Sequence, residues 1–281
     1  MWPLFSQAQA QAQVTRGLRL SADDQYVVDE IIAPAAPQEK RGVIVNEGYR
    51  FVCLGETGSG KTSLMRVVIY ATIAEGYAGF ALIHDTKNIW PEYPKSLQMR
   101  NVAEFRNRWF RDGDLPLVSF RGDPRNDIEV GAEEVAAYSL EIARKGRIVD
   151  GKWHTNPHVC VIEELAEAAS GGRKHLQAKS VLKLLEQGRK MGVSLVGTTQ
   201  SPANVPLDIL RQASSIAFFR LTGPDTNYLR ERWHGPEDLI STIAGPTGEG
   251  LPNHQFCLYV KGKGWDGKIH SLDKRTALMF E

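Results

Sequence analysis

The 281-residue chain has little that would mark a secreted, membrane-spanning or disulfide-rich protein. Its three cysteines, Cys53, Cys160 and Cys257, stand far apart, and two of them lie in apolar runs. This spacing predicts reduced thiols in an intracellular protein rather than a disulfide framework. No apolar run approaches the length of a membrane span, and the N-terminus has no secretory hydrophobic region. We therefore expect a cytoplasmic location and no transmembrane segment.

A strong excess of either charge is also missing. Lysine and arginine together number 34, aspartate and glutamate 33, and the net charge is +1. Any contact with nucleic acid would therefore have to come from a local basic patch or from a ring of subunits. The composition, with 42% hydrophobic and 24% charged residues, is sufficient for one large α/β domain.

The chain does contain a glycine-rich phosphate-binding motif. Residues 55–62 fit G-x-x-x-x-G-K-[ST] without a mismatch, between an apolar strand-like run at 51–54 and a helical run at 63–71. The glycines let backbone N–H groups point at phosphate oxygens, Lys61 supplies a cation, and Thr62 supplies a hydroxyl for Mg²⁺. The alternative, a chance glycine-rich turn, does not explain both flanks. The predicted nucleotide-binding residues are Gly55, Glu56, Thr57, Gly58, Ser59, Gly60, Lys61, Thr62 and Ser63.

Two carboxylates follow another buried strand. The apolar run 159–162 ends in Glu163 and Glu164, about a hundred residues after the P-loop, which is the Walker B pattern. We assign Glu163 to the Mg²⁺ shell and Glu164 to the attacking water. The alternative is that both glutamates are merely solvated at a strand end.

Polar residues also end two other predicted strands. Gln200 closes the apolar run that begins at Val193, and Asp85 closes the run 79–85. An amide at a strand tip can sense the γ-phosphate or bind the attacking water, whereas the simpler interpretation of Gln200 is a strand-end hydrogen bond. Polar strand ends of this kind meet at the ligand crevice of an open α/β sheet.

Strands alternate with helical segments along the chain, which predicts a mainly parallel sheet with helices on both faces. The tail predicts a C-terminal β-hairpin, with Gly262, Gly264 and Gly267 in its turn. Residues 1–41 are predicted to be an N-terminal arm and linker, and residues 42–281 the main domain. The arm is either a disordered segment or short helix, or a segment whose Trp2, Leu4 and Phe5 dock on a neighbouring subunit or shell protein.

Together these residues resemble the FtsK–HerA superfamily of DNA-pumping ATPases. The resemblance covers about residues 42–235 and is carried by the P-loop, the Glu163–Glu164 pair, and Gly188-Arg189-Lys190-Met191-Gly192 running into a strand that ends in Gln200. It implies a RecA-like P-loop (ASCE) domain in a hexameric ring around DNA. It further implies that Gln200 is the sensor and that Arg189 reaches a neighbour's nucleotide. Arg220 matches an arginine of less certain role.

The minimal size of the chain is similar to that of the genome-packaging ATPases of tailless, internal-membrane viruses. This resemblance implies ATP and Mg²⁺ as cofactors, double-stranded DNA bound without sequence specificity, and a capsid or membrane portal protein as a further partner. It also implies a place in the host cytoplasm or on the virion. The alternatives are a conjugation or secretion ATPase that moves protein or protein-linked DNA, and a nucleotide-switched assembly module with little turnover.

Three weaker signals have simpler interpretations. Arg189 could instead offset a helix C-terminal dipole. His154, His158 and Cys160 lack a second pair of zinc ligands, so we do not expect a zinc site. A set of arginines interleaved with aromatic residues could contact DNA or form a solvated basic face: Arg100, Arg106, Arg108, Arg111, Arg121 and Arg125.

Overall fold

The fold is organised around the strand that leads into the P-loop. The computed structural model describes residues 20–35, 38–40, 43–45, 47–85, 97–99, 117–121, 128–145, 147–149, 152–166, 179–245 and 248–272. Strand β3 (Arg50–Leu54) lies within the main sheet, and helix α2 (Lys61–Ala74) follows the P-loop directly. The predicted order of strand, glycine-rich loop and helix is therefore present.

The main sheet contains nine of the described strands. Seven of them run parallel, and an antiparallel hairpin completes one edge, so the predicted mainly parallel sheet and C-terminal hairpin are confirmed. These strands are β3, β4 (Ala81–Asp85), β5 (Leu97–Met99), β6 (Leu117–Arg121), β9 (His158–Ile162), β10 (Val193–Thr199), β11 (Ser215–Phe218), β12 (Gln255–Val260) and β13 (Gly264–Ser271). Their order across the sheet is β13, β12, β11, β3, β10, β9, β4, β6, β5.

Two short antiparallel pairs lie outside the main sheet. Strand β1 (Gln38–Lys40) pairs with β2 (Val43–Val45), and β7 (Arg147–Val149) pairs with β8 (Lys152–His154). The further α-helices are α1 (Ala22–Ile32), α3 (Ile128–Lys145), α4 (Lys179–Gln187), α5 (Leu207–Gln212), α6 (Gly223–Tyr228) and α7 (Glu237–Ala244). A 3-10 turn, Gly188–Met191, follows α4, and a π-helical turn, Leu229–Trp233, follows α6.

Successive side chains of β3 point to opposite faces of the sheet and join a hydrophobic core on each face. Phe51 and Cys53 pack with α1 and α2 on one face, whereas Val52 and Leu54 pack with α3, α4 and α7 on the other. A strand buried on both faces needs a continuous apolar run, which is the pattern that the sequence shows at residues 51–54. Helices on both faces of the sheet, as predicted, are therefore present.

Some elements differ from expectation. Helix α1 was not predicted, yet its Val28 and Ile31 are fully buried beside α2. Residues 1–19, 41 and 42 lie outside the described residues, and the division at residue 42 stays a prediction. In the hairpin, Gly264 and Gly267 belong to strand β13 rather than to the turn, because the pairing continues past a bulge opposite Cys257 and Tyr259.

The three cysteines are buried and free, as expected from their spacing. Burial raises the pKa of Cys160 and of Cys257 to about 12 and raises that of Cys53 as well, so all three remain neutral thiols. None of the described helices is both long and apolar enough to cross a lipid bilayer.

Candidate active site

The P-loop turns between β3 and α2 through three glycines with positive φ. Gly55, Gly58 and Gly60 have φ values of 150°, 76° and 106°. A Cβ atom on Gly60 would lie 3.0 Å from the Nδ1 atom of His254 and 3.3 Å from a ring carbon of Phe219. Gly60 therefore allows both the left-handed turn and close packing at the start of α2. The N-cap residue Gly60 makes no side-chain capping bond, and the positive end of the helix dipole lies at the loop.

Lys61 begins α2 and is 7% exposed. Its Nζ atom donates hydrogen bonds to the carbonyl oxygens of Gly55 at 2.5 Å and Glu56 at 2.7 Å. The ammonium group therefore lies against the first residues of the loop, where phosphates bind in proteins with this motif. Thr62 follows in the first helical turn and is half-buried.

Glu164 lies just beyond β9 in an unusual backbone conformation. Its φ is 55°, which is uncommon for a residue with a side chain, and it is 5% exposed. Its Oε1 atom accepts hydrogen bonds from the Thr199 hydroxyl at 2.8 Å and the Gln200 N–H at 3.3 Å. Its own N–H donates to the Thr198 hydroxyl. The end of β10 therefore holds one oxygen of the carboxylate in a fixed orientation.

Glu163, the residue before Glu164, is also buried, with 3% of its surface exposed. A buried carboxylate and the Thr62 hydroxyl are hard oxygen ligands of the kind that Mg²⁺ takes, alongside phosphate and water. Among the described residues, no group of three or more His, Cys, Asp or Glu residues is placed to hold a metal ion.

Strand β4 places two more polar residues beside β9. His84 and Asp85 are both buried, and Asp85 ends the strand, as the sequence predicted. Burial lowers the pKa of His84 to about 4, so its imidazole is neutral at neutral pH. The neighbouring Thr86 and Lys87 lie outside the described residues.

The sheet order brings the P-loop and the glutamates together. Strand β10 lies between β3 and β9, and all three run parallel. The N–H of Gly55 donates to the carbonyl of Thr199 at 3.2 Å, while the hydroxyl of Thr199 donates to Glu164. One residue at the tip of β10 thus contacts both the phosphate loop and the carboxylate assigned to the attacking water. Gln200 follows this tip and is exposed.

Arg189 lies far from the P-loop and from the two glutamates. It lies in the turn before β10, at the opposite end of that seven-residue strand from Gln200. At about 3.3 Å per residue, the strand separates the two positions by about 20 Å. Its guanidinium lies 3.4 Å from the Glu47 carboxylate, and its carbonyl accepts hydrogen bonds from Gly48 and Gly192. Arg189 therefore cannot reach the P-loop of its own chain.

Two contacts of the P-loop were missed by the sequence analysis. Arg220, whose role the sequence left open, forms a 3.0 Å ion pair with Glu56 of the loop. The N–H of His254 donates to the Ser59 carbonyl at 2.8 Å. The Arg220 contact could have been suspected because Arg220 directly follows an apolar, strand-like run at residues 216–219. His254 gave no signal, since it belongs to no motif.

His158, which the sequence analysis considered as a zinc ligand, contacts a backbone carbonyl and an aromatic ring. Its ring bonds to the Asn156 carbonyl and stacks on Phe80, with ring centroids 5.0 Å apart. The side chains of His154 and of the arginines considered for DNA contact lie outside the described residues.

Comparison with known proteins finds solved structures with the same fold. No protein-family model and no curated protein sequence matches the chain. Among solved structures, the genome packaging NTPase B204 of Sulfolobus turreted icosahedral virus 2, in complex with ATP-gammaS, matches with a TM-score of 0.56 and 16% identity. The match covers 80% of this chain and 97% of that chain. The chain shares the fold of this packaging NTPase.

Two further structures agree with this P-loop NTPase fold. B204 from Sulfolobus turreted icosahedral virus, described as a DNA-packaging ATPase, matches with a TM-score of 0.55 and 18% identity, over 80% of this chain and 97% of that one. VirB4 of Thermoanaerobacter pseudethanolicus matches with a TM-score of 0.55 and 10% identity, over 80% and 88%. The resemblance stated from the sequence is thus confirmed at the level of the fold.

Proposed function

We propose that the chain is an ATPase that couples ATP hydrolysis to the translocation of double-stranded DNA, and that it packages a viral genome. The observation that carries the proposal is the continuous contact from the P-loop through Thr199 to Glu164. This contact places a phosphate-binding loop beside a buried, oriented carboxylate, a pairing that can position and activate water for phosphoryl transfer.

In the proposed reaction, Lys61 and the N–H groups at the start of α2 bind the β- and γ-phosphates of ATP. Glu164 orients a water molecule for attack on the γ-phosphorus and accepts its proton, and Gln200 contacts the same water or the γ-phosphate. Thr62 and Glu163 would hold Mg²⁺, which neutralises phosphate charge when bound. The products are ADP and inorganic phosphate.

A ring of identical subunits, which we propose to be hexameric, accounts for Arg189. Arg189 lies near the amino-terminal end of β10, whereas the P-loop lies at the carboxyl-terminal end of the strands. It can therefore stabilise the transition state only in the site of a neighbouring subunit. Arginine fingers contribute factors of about 10³–10⁵ to the rate in comparable systems. A ring around DNA would contact the backbone and read little sequence.

Genome packaging is proposed over other motor functions because of the extent of the match. The chain covers 97% of the B204 packaging NTPase, so the two proteins match over nearly the whole of that motor. A capsid or membrane portal protein is the partner on which such a motor would act.

The proposal is tested by measuring ATP turnover with and without double-stranded DNA. We expect two duplexes of unrelated sequence to stimulate turnover equally, with Lys61→Ala inactive in each case because it lacks the phosphate-binding ammonium. Turnover that DNA leaves unchanged would contradict DNA translocation and favour a protein-moving ATPase. ATP binding with negligible turnover in every condition would favour the nucleotide-switched module.

A further inference from the structure

The P-loop accounts for the phosphates of a bound nucleotide but not for its sugar and base. If the proposed ATPase function holds, the γ-phosphate faces Glu164 and Gln200, which lie at the ends of β9 and β10 on one side of β3. The triphosphate chain must then leave the loop toward the other side of β3. In the sheet order, that side holds β11 and then β12.

Residues 248–254, which precede β12, lie directly on that side of the P-loop. His254 is joined to it by the hydrogen bond from its N–H to the Ser59 carbonyl. A Cβ atom on Gly60 would lie 3.0 Å from the His254 ring nitrogen Nδ1 and 3.2 Å from its Cα atom, so the ring lies against the start of α2.

A second contact fixes the same segment. A Cβ atom on Gly250 would lie 2.6 Å from the Cγ atom of Arg220, so the backbone of residue 250 packs closely on that side chain. Arg220 is in turn paired with Glu56 of the P-loop at 3.0 Å. Residues 248–254 are thus attached to the loop near both ends of the segment.

We propose that residues 248–254 form the nucleoside-binding part of the site, with the imidazole of His254 contacting the base. His254 is exposed although its backbone is anchored, and it adopts a left-handed φ of 64° that is uncommon for a residue with a side chain. A flat ring held beside the outgoing triphosphate offers a stacking surface, and stacking of this kind tolerates any base. The ligand class is a nucleoside triphosphate, with little preference between bases.

The test compares the binding of ATP and of inorganic tripolyphosphate to wild-type protein and to His254→Asn. Asparagine tolerates the left-handed conformation, so the substitution removes the ring and spares the backbone. We expect about ten-fold weaker binding of ATP and unchanged binding of tripolyphosphate, because only ATP has a base to stack. His234→Asn is the matched control, since His234 is also exposed with a φ of 57°, and no hydrogen bond between His234 and the P-loop occurs among the described residues. It should bind both ligands as wild type does.

Three results would overturn the inference. One is equal ATP affinity of His254→Asn and wild type, which would leave the proposed ATPase function standing. Another is an equal loss of ATP and tripolyphosphate binding, which would make His254 a support of the P-loop instead. The third is wild-type protein that binds neither ligand, in which case the proposed function fails and the inference with it.

Discussion

Among the described side chains, only that of Thr199 donates a hydrogen bond to the Glu164 carboxylate, beside the backbone N–H of Gln200. Thr199 is fully buried, and its hydroxyl donates to Oε1 of Glu164 at 2.8 Å. The left-handed backbone of Glu164 turns the side chain out of the direction that a continuing strand would give it. A hydrogen bond to a charged group contributes about 1.5–3 kcal/mol, so this one is strong enough to set the position of the carboxylate.

We therefore expect Thr199→Val to lower kcat by about ten-fold or more while ATP binding stays within a few-fold of wild type. Valine keeps the shape of the side chain but cannot donate to Glu164. Thr199→Ser, which keeps the hydroxyl, should restore most of the activity, as measured by steady-state phosphate release. Equal activity of the valine and serine variants would show that the hydroxyl does not position Glu164.

Among the elements, the start of β3 passes very close to the backbone of β10, at the end of the strands opposite the active site. Gly48 precedes β3, and a Cβ atom there would lie 2.1 Å from the carbonyl oxygen of Val193. The Gly48 N–H also donates to the Arg189 carbonyl at 2.8 Å. A side chain at residue 48 would push β3 away from the start of β10.

Gly48→Ala should lower the free energy of unfolding by at least about 2 kcal/mol, because both strands would have to shift to relieve the backbone clash. Chemical denaturation measures the change. Gly223→Ala is the control: residue 223 begins α6, and a Cβ atom there would meet nothing within 4 Å. Its stability should stay within about 0.5 kcal/mol of wild type. A similar small effect at both positions would contradict this close approach.

The elements that could be predicted from the sequence are those whose pattern is local. Three segments combine a strand pattern with a polar end: the P-loop, the apolar run 159–162 and the run that ends in Gln200. They therefore predicted both the parallel sheet and the site at the carboxyl ends of its strands. Contacts between distant segments gave no such pattern. The hydrogen bond of His254 to Ser59 joins residues almost two hundred positions apart, and helix α1 is buried against two elements that come later in the chain, α2 and β12.

At the scale of the whole molecule, the sheet separates two kinds of residue. The P-loop, Glu163, Glu164 and Gln200 lie at the carboxyl ends of the parallel strands. Arg189 lies at the amino ends of these strands, beside Glu47. As the proposed arginine finger, Arg189 would act across a head-to-tail interface, the type that closes into a ring. In that arrangement, the residues that precede β10 in one subunit would complete the site of the next.

Mixing two inactive variants tests this arrangement. Lys61→Ala lacks the phosphate-binding cation, and Arg189→Ala lacks the proposed finger. In a one-to-one mixture, about a quarter of the interfaces join an intact P-loop to an intact arginine, so ATPase activity should partly return. Each variant alone is the control. A mixture as inactive as its components would contradict a role of Arg189 between subunits.

The central claim, that ATP bound at the P-loop is hydrolysed with Glu164 as the base, is tested most directly by ATP binding and turnover in Glu164→Gln. We predict nucleotide affinity within a few-fold of wild type and turnover lower by at least about 100-fold, because glutamine cannot accept the proton of water. Glu186→Gln, at an exposed position of α4, should match wild type in both measurements. Turnover of Glu164→Gln equal to that of wild type would contradict the account.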